Sequence, residues 1–319
     1  MNHTPHLSEQ VIIITGASAG IGTALAQTLA TRFPGVRLAL SARRKDKLEE
    51  IATECRTAGA DVLVITTDMT NAEQVAALSR GVLEKWGRVD AVVNNAGYGQ
   101  MGPIELTSLT AAKEQFNVNF FAPLILAQTL IPIMRNQGGG RIVNISSLGG
   151  RMAFPAGGLY SSSKFALEAF SDVLRMELKG FNIKVSVVEP GPVITEFFQV
   201  AGNKIQQMIP DYDRSRTFDD LAYKDRPVSS IYRPAFEKLA AIDQQLKLIG
   251  WTPEKVAKVI IKALNDPRPR PRYYAATGAS IFVPLMTKVM PTWVTDAFWK
   301  RFYGIDQVEK EWKMSTNKE

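Results

Sequence analysis

The chain is poor in the side chains that most hydrolytic and metal chemistry needs. Its 319 residues contain one cysteine, Cys55, and two histidines, His3 and His6, both in the N-terminal tail. A single thiol excludes an internal disulfide and a multi-cysteine zinc site. With no histidine in the body of the chain, a serine-protease-type triad has no base and a histidine-rich metal site has no ligands, so no metal is expected. The first ten residues lack the basic-then-apolar order of a secretory leader. The longest apolar stretch, Val118 to Met134, is interrupted by Asn119, Pro123, Gln128 and Pro132. It falls short of the roughly 20 clean residues of a membrane span. These absences make a cytosolic (cytoplasmic) protein the expectation.

What is present suits a folded globular protein: 45% hydrophobic and 22% charged residues, with a formal net charge of +7. A basic balance permits anionic partners such as a nucleotide, a phospholipid or nucleic acid. There is no zinc-finger or aromatic–basic RNA pattern, and no basic block beyond Arg268, Arg270 and Arg272. Nucleic acid is therefore not an expected partner.

Over the first 190 residues, short β-rich runs alternate with helical patterns. The runs Val11–Thr15, Val36–Ser41, Val62–Thr66, Ala91–Asn94, Arg141–Ile145 and Lys184–Val188 are rich in Val, Ile and Leu, as buried parallel strands are. Helical stretches such as Ile21–Arg32, Lys45–Ala58 and Ala72–Trp86 lie between them. The alternation predicts βαβ crossovers and an α/β fold with a Rossmann-type, doubly wound parallel sheet. Beyond Pro190 the pattern changes. Residues 196–250 mix aromatics, charges and prolines, a helix is predicted from Pro253 to Leu264, and a last strand around Tyr273–Ala276. The expected organisation is a single domain, with a core over 10–195, a lid over 196–250, and a C-terminal helix, strand and apolar tail over 251–319.

The first strand runs into Thr15-Gly16-Ala17-Ser18-Ala19-Gly20-Ile21-Gly22, which opens a helix. Glycines there permit a tight turn and let backbone N–H groups approach a pyrophosphate at the helix N-terminus. Roughly twenty residues on, an acid would bind an adenosine ribose, whereas arginine suits a 2′-phosphate. The second strand ends in Ala42-Arg43-Arg44, with no acid. Guanidinium groups match phosphate geometry, so NADP(H) is expected, with Arg43 as first contact and Arg44 as second; two solvated surface charges would look the same. Asp68, followed by Met69, could meet the adenine or cap the next helix.

Tyr160 and Lys164 stand four apart in a pattern, Leu159 to Leu178, that reads as one helix, which places them on one face. A cation beside a phenol favours the phenolate, so the tyrosine pKa is expected below its usual value of about 10. Ser147 precedes Tyr160 by 13 residues and follows an apolar strand, where an open α/β sheet builds its site. Ser146 is a neighbouring hydroxyl at the same strand end.

With these residues in place, the chain resembles the short-chain dehydrogenase/reductase family. Thr15 to Gly22, Asn94-Asn95-Ala96-Gly97, Asn119, Ser147, the Tyr160/Lys164 pair and Pro190-Gly191 follow in the family's order. They span about residues 10 to 195. The resemblance implies that Tyr160 passes a proton to or from the substrate oxygen, and that Ser147 holds that oxygen by a hydrogen bond. It implies that Lys164 lowers the tyrosine pKa and binds the nicotinamide ribose, and that Asn119 positions a water for proton relay. Asn94, Asn95, Ala96 and Gly97 would line the cofactor, while Pro190, Gly191, Val193 and Thr195 would meet its nicotinamide end.

The segment from Thr195 to Trp251 carries Phe197, Phe198, Met208, Ile209, Tyr212, Phe218, Tyr223, Ile231, Tyr232 and Phe236. A large apolar lid suits a bulky lipophilic substrate, although the same residues could pack the lid itself or a subunit contact. The stretch around Arg272-Tyr-Tyr-Ala-Ala-Thr-Gly is similar to 17β-hydroxysteroid, retinol and acyl-dihydroxyacetone-phosphate members of the family. It implies reduction of a ketone or aldehyde on a steroid, retinoid or acyl lipid, with an aromatic ketone also in view. Residues Ile281 to Trp299 could lie on an anionic membrane surface or close the substrate pocket, and the second is favoured. Family members often pair through the helix that carries the tyrosine, which implies a homo-oligomer, a dimer or tetramer. The alternative to an enzyme is an NADP(H)-binding regulatory or redox-sensing protein on the same fold.

Overall fold

The computed structural model describes residues 6–196, 231–239, 241 and 250–316. The strands are β1 (Val11–Thr15), β2 (Arg37–Ala42), β3 (Asp61–Thr66), β4 (Ala91–Asn94), β5 (Gly140–Ile145), β6 (Ile183–Pro190) and β7 (Arg272–Ala275). All pair in parallel, in the order β3-β2-β1-β4-β5-β6-β7. The order reverses between β1 and β4, and ligands of open α/β sheets bind outside the carboxyl ends of strands at such a switch point.

Helices α1 (Gly20–Arg32), α2 (Lys45–Thr57), α3 (Ala72–Trp86), α4 (Leu109–Phe116), α5 (Ala122–Asn136), α6 (Gly158–Glu177) and α7 (Pro253–Asn265) cover the sheet. Successive strand residues point to opposite faces, so Ile12 and Ile14 join α1, α2 and α7 in one core layer. Val11 and Ile13 join α3, α5 and α6 in the other. Burial on both faces is why β1 reads as an unbroken apolar run rather than an alternating one. The ends of β1, β4 and α3 coincide with the sequence-based bounds, and the other predicted strands and helices differ by one or two residues at an end.

One expectation about the apolar run is corrected. Helix α4, a π turn over Asn117–Phe121 and α5 join into one continuous helix, Leu109–Asn136, of 28 residues. By length and composition it could cross a membrane, and about a third of its most apolar window is buried in the fold. Pro123 does not break it because it follows directly on the π turn, where the pattern is already shifted and the Ala122 N–H bonds the Asn117 carbonyl. Pro132 lies inside the helix, which runs on past it to Asn136.

The C-terminal part continues through α8 (Ala279–Pro284), a π turn over Leu285–Val289, α9 (Thr292–Phe302) and α10 (Ile305–Thr316). Of the expected lid, Phe197, Phe198, Met208, Ile209, Tyr212, Phe218 and Tyr223 lie outside the described residues. Tyr232 is described, and its hydroxyl donates to Glu105 at 2.8 Å.

Candidate active site

At the carboxyl end of β1 the chain turns sharply into α1, with Gly16 and Gly20 in the left-handed region at φ 66° and 56°. A side chain on Gly16 would press on the Ala96 backbone at 2.8 Å, and one on Gly20 would meet Thr195 at 2.9 Å. A methyl on Gly22 would strike the Gly16 carbonyl and the Ala17 backbone. Ala19, the N-cap of α1, offers no side-chain oxygen to the first helical N–H groups. Open N–H groups in a turn too tight for side chains fit a diphosphate.

Thr15, named from the sequence only as the first residue of the glycine motif and given no role, fastens this turn to the end of β4. Its hydroxyl accepts from the Asn95 and Ala96 N–H groups at 3.0 and 2.9 Å, while the Asn95 side-chain amide donates to the Thr15 and Gly16 carbonyls. Asn95, Ala96 and Gly97 therefore form one wall of the crevice, and Thr195 the other. Gly191 donates to the Ala275 carbonyl at 3.3 Å, and Val193 bridges to Trp251. These contacts hold the chain after Pro190 across the sheet end.

Arg43 and Arg44 are both exposed beside the turn. Arg44 donates to the Ser18 carbonyl at 3.1 Å and pairs with Glu196 at 3.6 Å. Asp68 accepts from the Thr70 N–H and hydroxyl, both at 2.9 Å, which holds its carboxyl below the usual range. The cap of α3 is Asn71 instead, and Met69 is buried beside it in the core.

Asn119, Ser147, Tyr160 and Lys164 converge at the ends of β4 and β5. Asn119 sits in the π turn, an irregularity that often marks functional helices. Its carboxamide accepts from the Tyr98 N–H at 3.2 Å and donates to the Tyr98 carbonyl and the Ser163 hydroxyl. Gly97 makes room between it and the ammonium: a methyl there would lie 3.2 Å from Asn119 Oδ1 and 3.4 Å from Lys164 Nζ. Ser147 caps a short turn by accepting from the Gly149 N–H at 3.0 Å. A methyl on Gly149 would sit between Ser147 Oγ and the Tyr160 ring, at 3.4 and 3.3 Å, so the two face one space. Ser146 instead turns inward, to the buried Glu168.

The expected direction of the tyrosine pKa is corrected. Lys164 Nζ lies 6.0 Å from the Tyr160 ring centroid and donates to the Ile145 carbonyl at 2.8 Å. Burial pushes Tyr160 up to about 12, with its hydrogen bond to Ser147 pulling the other way. Burial also lowers Lys164 to about 8, opposed by the Glu168 charge. Desolvation of the phenolate outweighs a cation at that distance.

Behind the lysine lies a charge cluster that sequence reading missed. Arg272 at the start of β7 pairs with Glu168 at 3.0 Å, Glu189 at 3.3 Å and Asp172 at 2.6 Å, and Arg151 reaches Glu189 at 3.5 Å. Burial raises both Glu168 and Glu189, the latter to about 7. Its members are up to 121 residues apart in sequence, and no local motif marks them.

The family profile described as short chain dehydrogenase matches residues 10–206. The chain belongs to this family. Its members are oxidoreductases that bind a nicotinamide cofactor, which the glycine cradle suits. Retinol dehydrogenase 8 of Bos taurus is 35% identical over 264 residues, covering 82% of this chain and 79% of that protein. A metagenomic short-chain oxidoreductase solved with NADP superposes with a TM-score of 0.63 at 28% identity, over 84% of this chain and 97% of its own. A family member from Burkholderia phymatum, solved with NAD, shares the fold with a TM-score of 0.70 at 24% identity, over 87% of this chain and 92% of its own.

The expectation of a cytosolic protein is overturned: it leaned on an apolar run read as too short for a membrane, and that run lies in a helix long and apolar enough to cross one. It rested also on a missing leader, which does not bear on attachment at a surface.

Proposed function

We propose that the chain is an NADP(H)-dependent reductase of ketones or aldehydes on bulky, lipophilic substrates, working reversibly as an alcohol dehydrogenase. The observation that carries the reading is the convergence of Asn119, Ser147, Tyr160 and Lys164 beside the glycine cradle. In this reading residues 10–195 are the cofactor-binding and catalytic core, 196–250 the lid and 251–319 the remaining wall.

A bound nicotinamide supplies the hydride in reduction and receives it in oxidation. The Tyr160 phenol, kept protonated by burial, donates its proton to the substrate oxygen in reduction; in oxidation it first passes that proton towards solvent and then, as the phenolate, takes the proton of the alcohol. The Ser147 hydroxyl donates a hydrogen bond to that same oxygen and fixes its position. Lys164 holds the cofactor ribose hydroxyls and stabilises negative charge as it develops on the phenol. Asn119, held by Tyr98 and Ser163, orients the water that returns a proton towards Lys164. Gly16, Ser18, Ala19, Gly20, Ile21 and Gly22 cradle the diphosphate, with Arg43 and Arg44 at the 2′-phosphate and Asp68 and Met69 at the adenine. Asn95, Ala96, Gly97, Pro190, Gly191, Val193 and Thr195 line the nicotinamide half.

The lipophilic substrate class is supported by apolar side chains around the phenol, where Met101 and Phe154 pack against Tyr160, and by the likeness to retinol dehydrogenase 8. The purified protein, given NADPH and a panel of steroid ketones, retinal, acyl-dihydroxyacetone phosphate and small aromatic ketones, is expected to oxidise NADPH fastest with a bulky member. Binding of NADPH with no turnover on any carbonyl would favour a regulatory or redox-sensing role instead.

A further inference from the structure

The C-terminal helices have two apolar faces where a soluble protein needs one. The inner face of the apolar helix Ala279–Val289 packs into the fold. Ala279 and Val283 are buried, and Phe282 and Met286 join Met152, Leu148 and Trp299 around them. From there aromatic contacts lead to the reacting phenol. Trp299 lies 6.3 Å from Phe154, Tyr303 stacks on Phe154 at 5.3 Å, and Phe154 packs with Tyr160.

The outer face of the same helix is exposed and also apolar. Ile281, Leu285 and Val289 recur every fourth residue, and Ile281 and Val289 are 75% and 64% exposed. Lys288 stands among them. Helix α9 lies alongside, with Phe298 in edge contact with Phe282 at 6.3 Å. On its outer side Trp293, 74% exposed, is followed two turns later by Lys300 and Arg301. Between Ala279 and Phe302 these three cations accompany one carboxylate, Asp296; Lys300 is paired with Glu309 of α10, which leaves Lys288 and Arg301 to face anionic headgroups.

Isolated exposed apolar residues need no explanation, but a contiguous apolar face rimmed by cations does. An exposed tryptophan and aliphatic side chains beside lysine and arginine match what sits at a lipid–water boundary. The ring and aliphatic groups enter the acyl edge, and the cations stay at anionic headgroups. A second copy of the chain would bring the same cations against each other, whereas an anionic bilayer complements them.

We propose that the outer faces of the Ala279–Val289 helix and α9 dock on an anionic lipid bilayer. Resting on the reductase reading above, this places the inner faces of the same helices between the lipid and Tyr160, so a lipid-dissolved carbonyl compound is taken up from the bilayer.

The test uses the full chain and sedimentation with vesicles of phosphatidylcholine, alone or with one part in three of phosphatidylserine. Wild type should bind the phosphatidylserine vesicles more tightly, and the preference should fade as salt screens the headgroups. Ile281→Asn/Val289→Asn/Trp293→Ser should bind both vesicle types roughly tenfold or more weakly, because it removes the inserting groups. Lys288→Glu/Arg301→Glu should lose only the phosphatidylserine preference. All of these side chains are exposed, so circular dichroism melting should match wild type. Tyr160→Phe should bind vesicles as wild type does. Binding without carbonyl turnover would leave the docking surface standing while the reductase reading fell.

The proposal is overturned if wild type stays in the supernatant with both vesicles, or if the triple variant sediments as well as wild type. It is equally overturned if the triple variant turns a dimer into a monomer in size-exclusion chromatography, which would assign the face to a second copy.

Discussion

Replacing Lys164 with methionine should make the cofactor-free protein more stable at neutral pH while removing its activity. The side chain is 5% exposed, and burial lowers its pKa from 10.5 to about 8. Below pH 8 the fold therefore holds a proton on a desolvated amine, and that penalty, from a shift of this size, is about 3 kcal/mol. Methionine also forfeits the hydrogen bond from the charged ammonium to the Ile145 carbonyl, worth about 2 kcal/mol. The variant should thus gain about 1 kcal/mol at pH 7. The sign follows from the lowered pKa. The penalty is complete below about 8 and fades as wild type sheds the proton in the folded state. It is gone by 10.5, where the unfolded lysine loses its proton too. The advantage of the variant should therefore close, and slightly reverse, between those pH values. Urea unfolding of both proteins at pH 7 and pH 10.5 measures it, and alkaline effects common to both chains cancel in the difference. A variant less stable at pH 7, or a gap that ignores pH, would refute the reasoning.

Three further outcomes are expected. Arg43→Ala should weaken NADPH binding by roughly tenfold or more, as loss of a charged hydrogen bond does, and leave NADH nearly unchanged; equal losses in fluorescence titrations would remove Arg43 from the 2′-phosphate. Arg272→Met leaves Glu168 buried without its main cation and Glu189 with Arg151 alone, which should cost about 3–5 kcal/mol in urea unfolding at pH 8. The loss should shrink at pH 5, because Glu189, with its pKa raised to about 7, is protonated there; a loss under about 1 kcal/mol at pH 8 would show the cluster is not structural. On the carbonyl panel, NADPH oxidation should favour bulky apolar members, and a preference for the small aromatic ketones would contradict a site built for bulky lipophilic substrates.

The sheet was legible because its strands are buried on both faces. The runs Val11–Thr15 and Ala91–Asn94 have no reason to alternate, and they stand in the structure with those same ends. The glycine turn was legible because its spacing leaves space only for backbone. The choice of Ser147 over Ser146 came with the family resemblance; in the structure Ser147 lies beside the Tyr160 ring and Ser146 towards Glu168. Other features depend on surroundings that a linear reading lacks. The direction of the Tyr160 pKa turns on burial and on where Lys164 aims its ammonium. Ser163 supports Asn119 from within the Tyr160–Lys164 segment, and its place between those two residues was the available signal. The Glu168–Arg272–Glu189 cluster unites α6, β6 and β7, which only the fold brings together. Prolines 123 and 132 made the apolar run look interrupted, yet one follows directly on a π turn and the other lies inside a helix that continues.

The most direct test of the account is single-turnover oxidation of NADPH by wild type and Tyr160→Phe, with the best carbonyl from the panel. Phenylalanine keeps the ring that packs against Met101 and Phe154 and removes only the proton donor. The account predicts a loss in rate of roughly 10²-fold or more, with NADPH affinity unchanged. Turnover within a few-fold of wild type would contradict the assignment of Tyr160 as the proton donor and, with it, the proposed reaction.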